Sequence, residues 1–317
     1  MRVFITGASG WIGSALVPEL IDAGHEVVGL ARSDASADAL TAAGAEVQRG
    51  SLDDLDSLAR GAEGSDGVVH LAFKHEIAFS GDFQGAADAD RRAVERLGEV
   101  LAGSDRPFLI ASGTLGLAPG RVATEADGQA VAPAPGGGGP QTRLGTAQVT
   151  LALASRGVRS SVVRLPPTCH GDGDSGFMAT LVAIARDTGV SGFVGDGSSR
   201  WPATHRLDVA HAFRLALEKA PAGSTLHAVA EEGVPIRGIA EVIGRHLELP
   251  VVAIPAEEAD RHFGFLAGFL GLDAPASSAL TRRLLGWQPT ELGLLDDLDE
   301  GHYFDTVPSA GRVGQPT

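Results

Sequence analysis

Three glycines recur at intervals of three residues in the stretch TGASGWIG, residues 6–13. They follow a short apolar run, RVFIT, and precede an apolar stretch with helical spacing. In such a turn Gly7 permits a tight bend, Gly10 lets the backbone approach a pyrophosphate, and Gly13 lets helix and strand pack closely. The helix start also offers free N–H groups to phosphate. The pattern predicts a dinucleotide-binding turn. The residues expected to contact the dinucleotide there are Gly7, Ser9, Gly10, Trp11, Ile12 and Gly13.

The next apolar run, HEVVGLA, is followed directly by a cation and a hydroxyl, Arg32 and Ser33. A site for NAD places a carboxylate at this strand end to bind the ribose 2′-hydroxyl, whereas arginine and serine suit a 2′-phosphate. Asp34 follows directly and would weaken that preference. An arginine at a strand end is otherwise an ordinary solvated residue. The sequence favours NADP(H) over NAD(H) as the cofactor.

Hydroxyl and imidazole groups follow two later apolar runs. Ser112 and Thr114 end the run PFLIASGT, and His75 comes two residues after the run DGVVHLAF. A hydroxyl can hold a substrate oxygen, and the unperturbed pKa of histidine suits proton transfer near neutral pH. Both residue types are also ordinary at these positions, as a strand-end hydroxyl and a solvated loop histidine. We take Ser112, Thr114 and His75 as candidate catalytic residues.

Short β-branched runs alternate with helical stretches through the first half of the chain. This alternation indicates βαβ units and a buried parallel sheet, and ligands of such sheets bind at the carboxyl ends of the strands. The predicted fold class is therefore α/β, a Rossmann-type doubly wound parallel sheet with a smaller C-terminal substrate lobe.

The division of the chain follows from where this alternation ends. Residues 1–165, together with about 205–230, are predicted to form the dinucleotide-binding Rossmann domain. Beyond residue 166 helical pieces mix with glycine-rich loops, so residues 166–204 and 231–300 are predicted to form the substrate lobe. Residues 305–317 are expected to be a mobile tail.

Composition and charge exclude several classes of protein. The 317 residues are 44% hydrophobic, yet no apolar run reaches the length of about 18 residues that a membrane span needs, so we expect no membrane partner. The formal charge of −15 argues against a nucleic-acid partner. Cys169 is the single cysteine, which fits a reducing, cytoplasmic location. The ten histidines show no ligand-like spacing, and no metal is expected.

Five segments occur together in the order found in extended short-chain dehydrogenases. They are TGASGWIG, DGVVHLA, RLPPTCHG, HRLDVAHAF and LLGWQPT. The chain resembles the NAD-dependent epimerase/dehydratase family of that group, and especially its atypical NADP-binding oxidoreductases. The resemblance covers residues 1 to about 295. It implies that Ser51 and Leu52 lie beside the adenine and that Pro166 and Pro167 line the nicotinamide site. The residues it places along the cofactor ribose are Leu71, Ala72 and Phe73.

The usual catalytic pair of that family, Tyr-x-x-x-Lys, has no counterpart in this chain. The matching position, roughly residues 136–144, reads GGGGPQTRL, and the only tyrosine is Tyr303. Arg143 lies near the family's lysine position and is a further candidate catalytic residue, although a helix-surface arginine is the more ordinary interpretation. The run Gly136–Gly139 is either a lid over the nicotinamide or a relaxed insertion, and the sequence leaves both open.

The preferred hypothesis is an NADP(H)-dependent oxidoreductase acting on a small or medium carbonyl compound or alcohol, with a non-standard proton donor. A non-catalytic NADP-binding sensor or scaffold is the alternative. A sugar-nucleotide epimerase or dehydratase ranks lower, because no basic cluster in the lobe offers a diphosphate clamp. The stretch RHFGFLAGFLGL is apolar and aromatic enough to line a substrate pocket. The resemblance also implies a homodimer formed through helices near residues 85–102 and 143–156.

Overall fold

The computed structural model describes residues 1–128 and 140–305. The strands of these residues are β1 Arg2–Thr6, β2 Glu26–Ala31, β3 Glu46–Arg49, β4 Gly67–His70, β5 Pro107–Gly113, β6 Arg159–Leu165, β7 Thr168–His170, β8 Ser191–Val194, β9 Arg200–His205, β10 Ser224–His227, β11 Glu231–Pro235 and β12 Val251–Ile254. The helices are α1 Gly13–Asp22, α2 Asp34–Ala42, α3 Leu55–Glu63, α4 His75–Phe79, α5 Phe83–Leu101, α6 Pro140–Ala152, α7 Phe177–Thr188, α8 Arg206–Lys219, α9 Ile236–Leu247, α10 Ala259–Phe263, α11 Ala267–Leu270, α12 Ala279–Leu285 and α13 Leu294–Asp299.

A sheet of seven described strands forms the centre of the molecule, in the order β10-β6-β5-β4-β1-β2-β3. All its neighbouring strands are parallel. Each parallel connection requires a crossover, and helices on both faces provide these crossovers. The predicted Rossmann-type α/β fold is confirmed.

Strand β1 shows why the sequence of this sheet is apolar almost without interruption. Val3, Phe4 and Ile5 are all fully buried. Val3 and Ile5 pack in the apolar cluster that contains α1 and α8 residues, whereas Phe4 packs in the opposite cluster with residues of α3 and α5. Because successive side chains of a strand point to opposite faces, a sheet covered on both faces needs apolar residues at every position.

The strand order reverses beside β1, and this reversal positions the site. Strand β2 lies on one side of β1 and β4 lies on the other, with Thr6 opposite His70 at the carboxyl ends. The chain leaves β1 and β4 towards opposite sides, which opens a crevice where doubly wound sheets bind their ligands. The glycine turn and the segment that contains His75 both border this crevice.

A third apolar cluster belongs to the C-terminal lobe. It is built from α7, α9, α10, α11 and the small strands β8 and β9, and it includes the fully buried Trp201. Tyr303 is buried in the same cluster. Leu285 and Trp287 fall within the range predicted for the lobe, but they pack in the cluster of α1 and α8 against the central sheet. The segment around α12 is therefore part of the Rossmann core by its packing.

Two predicted features lie outside the described residues, namely the run Gly136–Gly139 and the tail beyond residue 305. In the part of the chain that the structure does describe, none of the helices combines the length and the apolar character needed to cross a bilayer.

Candidate functional site

The glycine turn after β1 has the geometry that a dinucleotide pyrophosphate requires. Gly7 has φ 70°, and Gly10 donates its N–H to the carbonyl of Gly7 at 3.0 Å. A Cβ on Gly7 would lie 2.7 Å from the backbone nitrogen of Ala72, and a Cβ on Gly13 would overlap the carbonyl oxygen of Gly7. Larger residues would therefore push β1, β4 and α1 apart. These contacts fit the predicted dinucleotide-binding turn.

Trp11 connects this turn to the C-terminal lobe. Its indole Nε1 donates to the carbonyl oxygen of Cys169 at 2.8 Å, and the guanidinium of Arg206 lies 4.4 Å from its ring. Arg206 was not among the residues selected from the sequence. Burial raises the pKa of the Cys169 thiol, so this cysteine is held as an unreactive thiol.

The adenosine end of the crevice carries two arginines. Arg32 is exposed and lies 3.4 Å from Glu76, while the hydroxyl of Ser33 accepts from Ser36 N–H and caps α2. Arg49 ends β3 directly beside Ala31 in the parallel register, and its Nη2 lies 2.6 Å from Asp34 Oδ1. The sequence-based prediction missed Arg49, because only the strand register brings it next to Arg32.

A salt bridge joins the loops that follow β3 and β4. Lys74 Nζ lies 2.7 Å from both carboxylate oxygens of Asp53. Asp53 follows Ser51 and Leu52, the residues expected beside the adenine, and Leu52 packs against the apolar cluster of the central sheet. The two loops are thereby held together across the place expected for the adenine.

A buried chain of hydrogen bonds supports the end of β4. Thr6 Oγ1 lies 2.8 Å from His70 Nδ1, and His70 Nε2 lies 3.1 Å from Asp90 Oδ1. An ionised Asp90 accepts from Nε2, which in a neutral imidazole leaves Nδ1 to accept from the Thr6 hydroxyl. The Ala72 N–H donates to the same Thr6 oxygen at 3.3 Å. This chain fixes Leu71 and Ala72, the residues predicted to line the cofactor ribose.

Arg143, Phe73 and His75 lie together beside the end of β5. The guanidinium carbon of Arg143 lies 4.5 Å from the Phe73 ring centroid, and its Nη2 donates to the Ala111 carbonyl at 3.0 Å. The His75 ring packs edge-on against Phe73 with centroids 5.1 Å apart. Desolvation and then the charge of Arg143 lower the pKa of His75 below its ordinary value. Burial likewise lowers the pKa of Arg143, and the negative charge of Asp90 opposes that effect.

The end of β5 presents two buried hydroxyl residues. Ser112 and Thr114 are 3% and 1% exposed, and Thr114 Oγ1 has no hydrogen-bond partner among the described residues. Other buried hydroxyls of the described chain that lack a partner lie nearer the amino ends of strands; these are Ser65, Ser160 and Thr225. A partner for Thr114 is therefore expected from a bound ligand at the carboxyl edge of the sheet.

Pro166 and Pro167 follow the end of β6, the strand that pairs with β5. They connect β6 to β7, and Leu165 pairs with Gly113 in the sheet, while Thr114 N–H donates to the Leu165 carbonyl at 3.0 Å. That the two prolines line the nicotinamide site stays a prediction.

Three further polar residues, His170, His205 and Tyr303, form hydrogen bonds that support the structure itself. His170 is fully buried with Nδ1 2.9 Å from Asp297 Oδ2, so it does not line the cleft. His205 caps α8 by accepting from the Leu207 N–H. The Tyr303 hydroxyl donates to Asp174 at 3.0 Å, and burial raises the pKa of this phenol. The single tyrosine thus holds the loop after β7 and does not replace the missing catalytic tyrosine.

The fold and the crevice together define a dinucleotide-binding protein of the Rossmann class. The model of the NAD dependent epimerase/dehydratase family matches residues 3–229, and the chain belongs to this family of oxidoreductases.

Two relatives and one solved structure illustrate the similarity. The uncharacterized protein C2A9.02 of Schizosaccharomyces pombe is 48% identical over 305 residues, covering 96% of this chain and 100% of the relative. A 4-hydroxy-2-methyl-3-oxo-4-farnesyl-3,4-dihydroquinoline-1-oxide ketoreductase of Stigmatella aurantiaca is 28% identical over 337 residues, covering 99% and 98%. The structure of a Thermotoga maritima UDP-glucose 4-epimerase with UDP-glucose superposes with a TM-score of 0.73 at 19% identity, covering 96% of this chain and 98% of that one. The last likeness concerns the fold alone.

Proposed function

We propose that the protein is an NADP(H)-dependent oxidoreductase that reduces a small or medium carbonyl compound or oxidises the corresponding alcohol. The observation that carries this proposal is the buried Thr114 hydroxyl, which has no partner among the described residues and lies on the strand end that Arg143 also contacts. A hydroxyl and a cation at one strand end can bind the oxygen of a carbonyl group and stabilise the charge that develops on it. The relative named as a ketoreductase supports a carbonyl substrate.

The preference for a 2′-phosphate is supported by the arginines of the adenosine end. Arg32 and Ser33 occupy the place where a carboxylate would bind a free 2′-hydroxyl. Asp34 would repel a phosphate there, but its carboxylate is paired with Arg49 at 2.6 Å. With Asp34 held by Arg49, the exposed guanidinium of Arg32, which lies 3.4 Å from the equally exposed Glu76, is the cation that a 2′-phosphate would engage.

The reaction balances with one proton: carbonyl, NADPH and H⁺ give alcohol and NADP⁺. When bound, NADPH supplies the hydride. Ser112 and Thr114 orient the carbonyl oxygen, and the charge of Arg143 favours the transient negative charge on that oxygen. His75 or water then delivers the proton to the oxygen. Because the pKa of His75 is lowered, its neutral form predominates at neutral pH, which suits it better to accept a proton during alcohol oxidation.

The test follows NADPH oxidation with a panel of activated aldehydes and ketones. We expect slow turnover by the parent protein, and a loss of about 10- to 100-fold in kcat for Thr114→Ala with little change in the Kd for NADPH. Ser155→Ala, a change of an exposed hydroxyl, is the matched control. Turnover that all of Ser112→Ala, Thr114→Ala and His75→Ala leave unchanged would refute this assignment of the site.

A non-catalytic NADP-binding sensor is the second candidate. The observation that favours it is the absence of the Tyr-x-x-x-Lys pair from the sequence. Tight NADPH binding with no turnover of any carbonyl in the panel would support the sensor over the oxidoreductase.

A further inference from the structure

We propose that Arg206 binds the pyrophosphate of the nicotinamide dinucleotide, as a cation held beside the glycine turn by its contact with Trp11. Arg206 is the first residue of α8 and lies far from the glycine-rich motif in the sequence. This inference rests on the proposed function in one respect, the binding of a nicotinamide dinucleotide, and it does not depend on whether a carbonyl compound is reduced.

The glycine turn carries no cation of its own. Residues 6–13 read TGASGWIG, and none of these side chains is charged. The backbone N–H groups of such a turn donate hydrogen bonds to phosphate. A pyrophosphate is anionic on both of its phosphates, however, and it enters a protein whose formal charge is already −15. A cation beside the turn would therefore strengthen its binding.

The packing of α8 on α1 brings Arg206 to this turn. Trp11, just before α1, contacts Arg206 at the start of α8, and further along the two helices Arg214 Nε lies 2.7 Å from Glu19 Oε1. The two helices therefore run side by side in the same direction. Because α1 follows β1 and starts at the crevice, α8 starts at the crevice as well.

Two contacts hold the Arg206 side chain in place. Its guanidinium carbon lies 4.4 Å from the centroid of the Trp11 ring, and its Cγ would lie 3.3 Å from a Cβ on Gly171, so its stem passes close to the loop after β7. Trp11 is itself fixed, because its Nε1 donates to the Cys169 carbonyl at 2.8 Å. A guanidinium attracted to an aromatic ring in this way needs little further ordering when an anion binds.

The guanidinium N–H groups of Arg206 are available to a ligand. Within residues 1–128 and 140–305 this guanidinium forms neither an ion pair nor a hydrogen bond. Two carboxylates of the adjoining segments are bonded elsewhere. Asp174 accepts from the Tyr303 hydroxyl, and Asp208 accepts from two backbone N–H groups of the segment after α12.

Arg206 differs in this respect from the other cations that the structure describes around the crevice. Each of those is bonded to a carboxylate or a backbone carbonyl; they are Arg32, Arg49, Lys74 and Arg143. Arg206 needs no exchange of partner when an anion binds, and its contact with Trp11 places it against the residue that follows Gly10.

The binding experiment measures the dissociation constants of the full chain for NADPH and NADH by fluorescence titration. Both dinucleotides carry the pyrophosphate, and NADPH alone carries the 2′-phosphate. Arg206→Gln keeps a planar end group beside Trp11 and removes the charge. We expect it to weaken the binding of NADPH and NADH alike by about ten-fold, whereas Arg32→Ala spares NADH.

Salt dependence tests whether the charge of Arg206 is responsible. Raising the NaCl concentration from about 50 to about 500 mM is expected to weaken NADH binding by the parent protein more than by Arg206→Gln, because salt screens a cation–phosphate contact. Arg206→Lys, which keeps the charge, is expected to retain most of the affinity for both dinucleotides. Arg283→Gln, which removes the charge of an exposed arginine on α12, is the matched control and is expected to leave both affinities unchanged.

Two further measurements separate this inference from other effects. Equal midpoints of thermal unfolding for the parent protein and Arg206→Gln are expected, since the side chain has no hydrogen bond to lose among the described residues. The carbonyl panel tests the proposed function independently. Weaker dinucleotide binding by Arg206→Gln, together with no turnover of any carbonyl, would contradict the oxidoreductase and leave this inference standing.

Three results would overturn the inference itself. The first is a parent protein that binds neither NADPH nor NADH. The second is Arg206→Gln with the parent affinity for both dinucleotides, which would assign this cation to a different anion, such as a substrate carboxylate. The third is an equal loss of affinity in Arg206→Gln and Arg206→Lys with unaltered salt dependence, which would show that the charge does not act on the dinucleotide.

Discussion

The guanidinium of Arg143 stacks on the ring of Phe73, with its central carbon 4.5 Å from the ring centroid. The two residues come from different parts of the chain, since Phe73 follows β4 and Arg143 lies on α6. The same guanidinium donates to the Ala111 carbonyl one residue before Ser112. A half-buried cation is thereby fixed between the ends of β4 and β5, next to the hydroxyls that we assign to the substrate oxygen.

Replacing Arg143 tests whether this cation acts on the reaction. We expect Arg143→Ala to lower kcat for carbonyl reduction by about 10²-fold, because the developing negative charge on the oxygen loses a preorganised cation. Arg143→Lys keeps the charge but loses the planar stacking on Phe73, so we expect partial activity. Steady-state kinetics with NADPH fluorescence titration separates the two effects. A fall in NADPH affinity that fully accounts for the lost rate would contradict a role in the reaction.

Cofactor preference depends on the arginines at the ends of β2 and β3. Arg32→Ala is expected to weaken NADPH binding by about 10- to 100-fold and to spare NADH, because one charge-assisted phosphate contact is lost. Arg49→Ala is expected to weaken NADPH binding as well, since it leaves the Asp34 carboxylate unpaired beside the phosphate.

The Asp34 interpretation has its own control. The double change Arg49→Ala with Asp34→Ala is expected to recover part of the NADPH affinity that Arg49→Ala alone removes. Arg237→Ala, remote from the crevice and paired with Glu241, is the matched arginine control. Equal affinity of the parent protein for NADPH and NADH in the fluorescence titration contradicts the assigned preference.

The sequence predicted the features that depend on local pattern. The glycine turn, the βαβ alternation and the Rossmann-type sheet all follow from residue spacing and from apolar runs such as Val3, Phe4 and Ile5, which need no knowledge of distant contacts. The positions of Ser112 and Thr114 at the end of β5 could be predicted for the same reason.

Contacts between distant segments could not be predicted in this way. The Arg49–Asp34 pair depends on the register of β2 and β3, and the Arg143–Phe73 stack depends on how α6 packs beside β5. The pair of His170 with Asp297 in the interior is a third example, because the two residues are 127 positions apart in the chain.

The homodimer implied by the family resemblance is tested by the mass in solution. Helices α5 and α6 pack against each other, and Arg91 and Arg96 on α5 form ion pairs with Glu95 and Glu99 of the same helix. A dimer through α5 would have to accommodate these charges. We expect light scattering to give about twice the chain mass, and Arg91→Glu to shift the protein towards one chain mass. A parent protein that already has one chain mass contradicts the dimer.

His75 makes the direction of the pH dependence a test of the proton donor. Desolvation and the nearby charge of Arg143 hold the pKa of His75 below its ordinary value of 6.5. At neutral pH the imidazole is therefore mostly neutral, and the acid form needed for carbonyl reduction increases as the pH falls. We expect kcat for reduction to rise by up to about tenfold for each unit from pH 8 towards the lowered pKa. Alcohol oxidation, which needs the neutral base, is expected to show no change in kcat over this range.

His75→Ala should remove the dependence of reduction on pH, with His211→Ala, a change of a histidine on α8, as the control. A pH profile of reduction that His75→Ala leaves unaltered would show that water, rather than His75, delivers the proton.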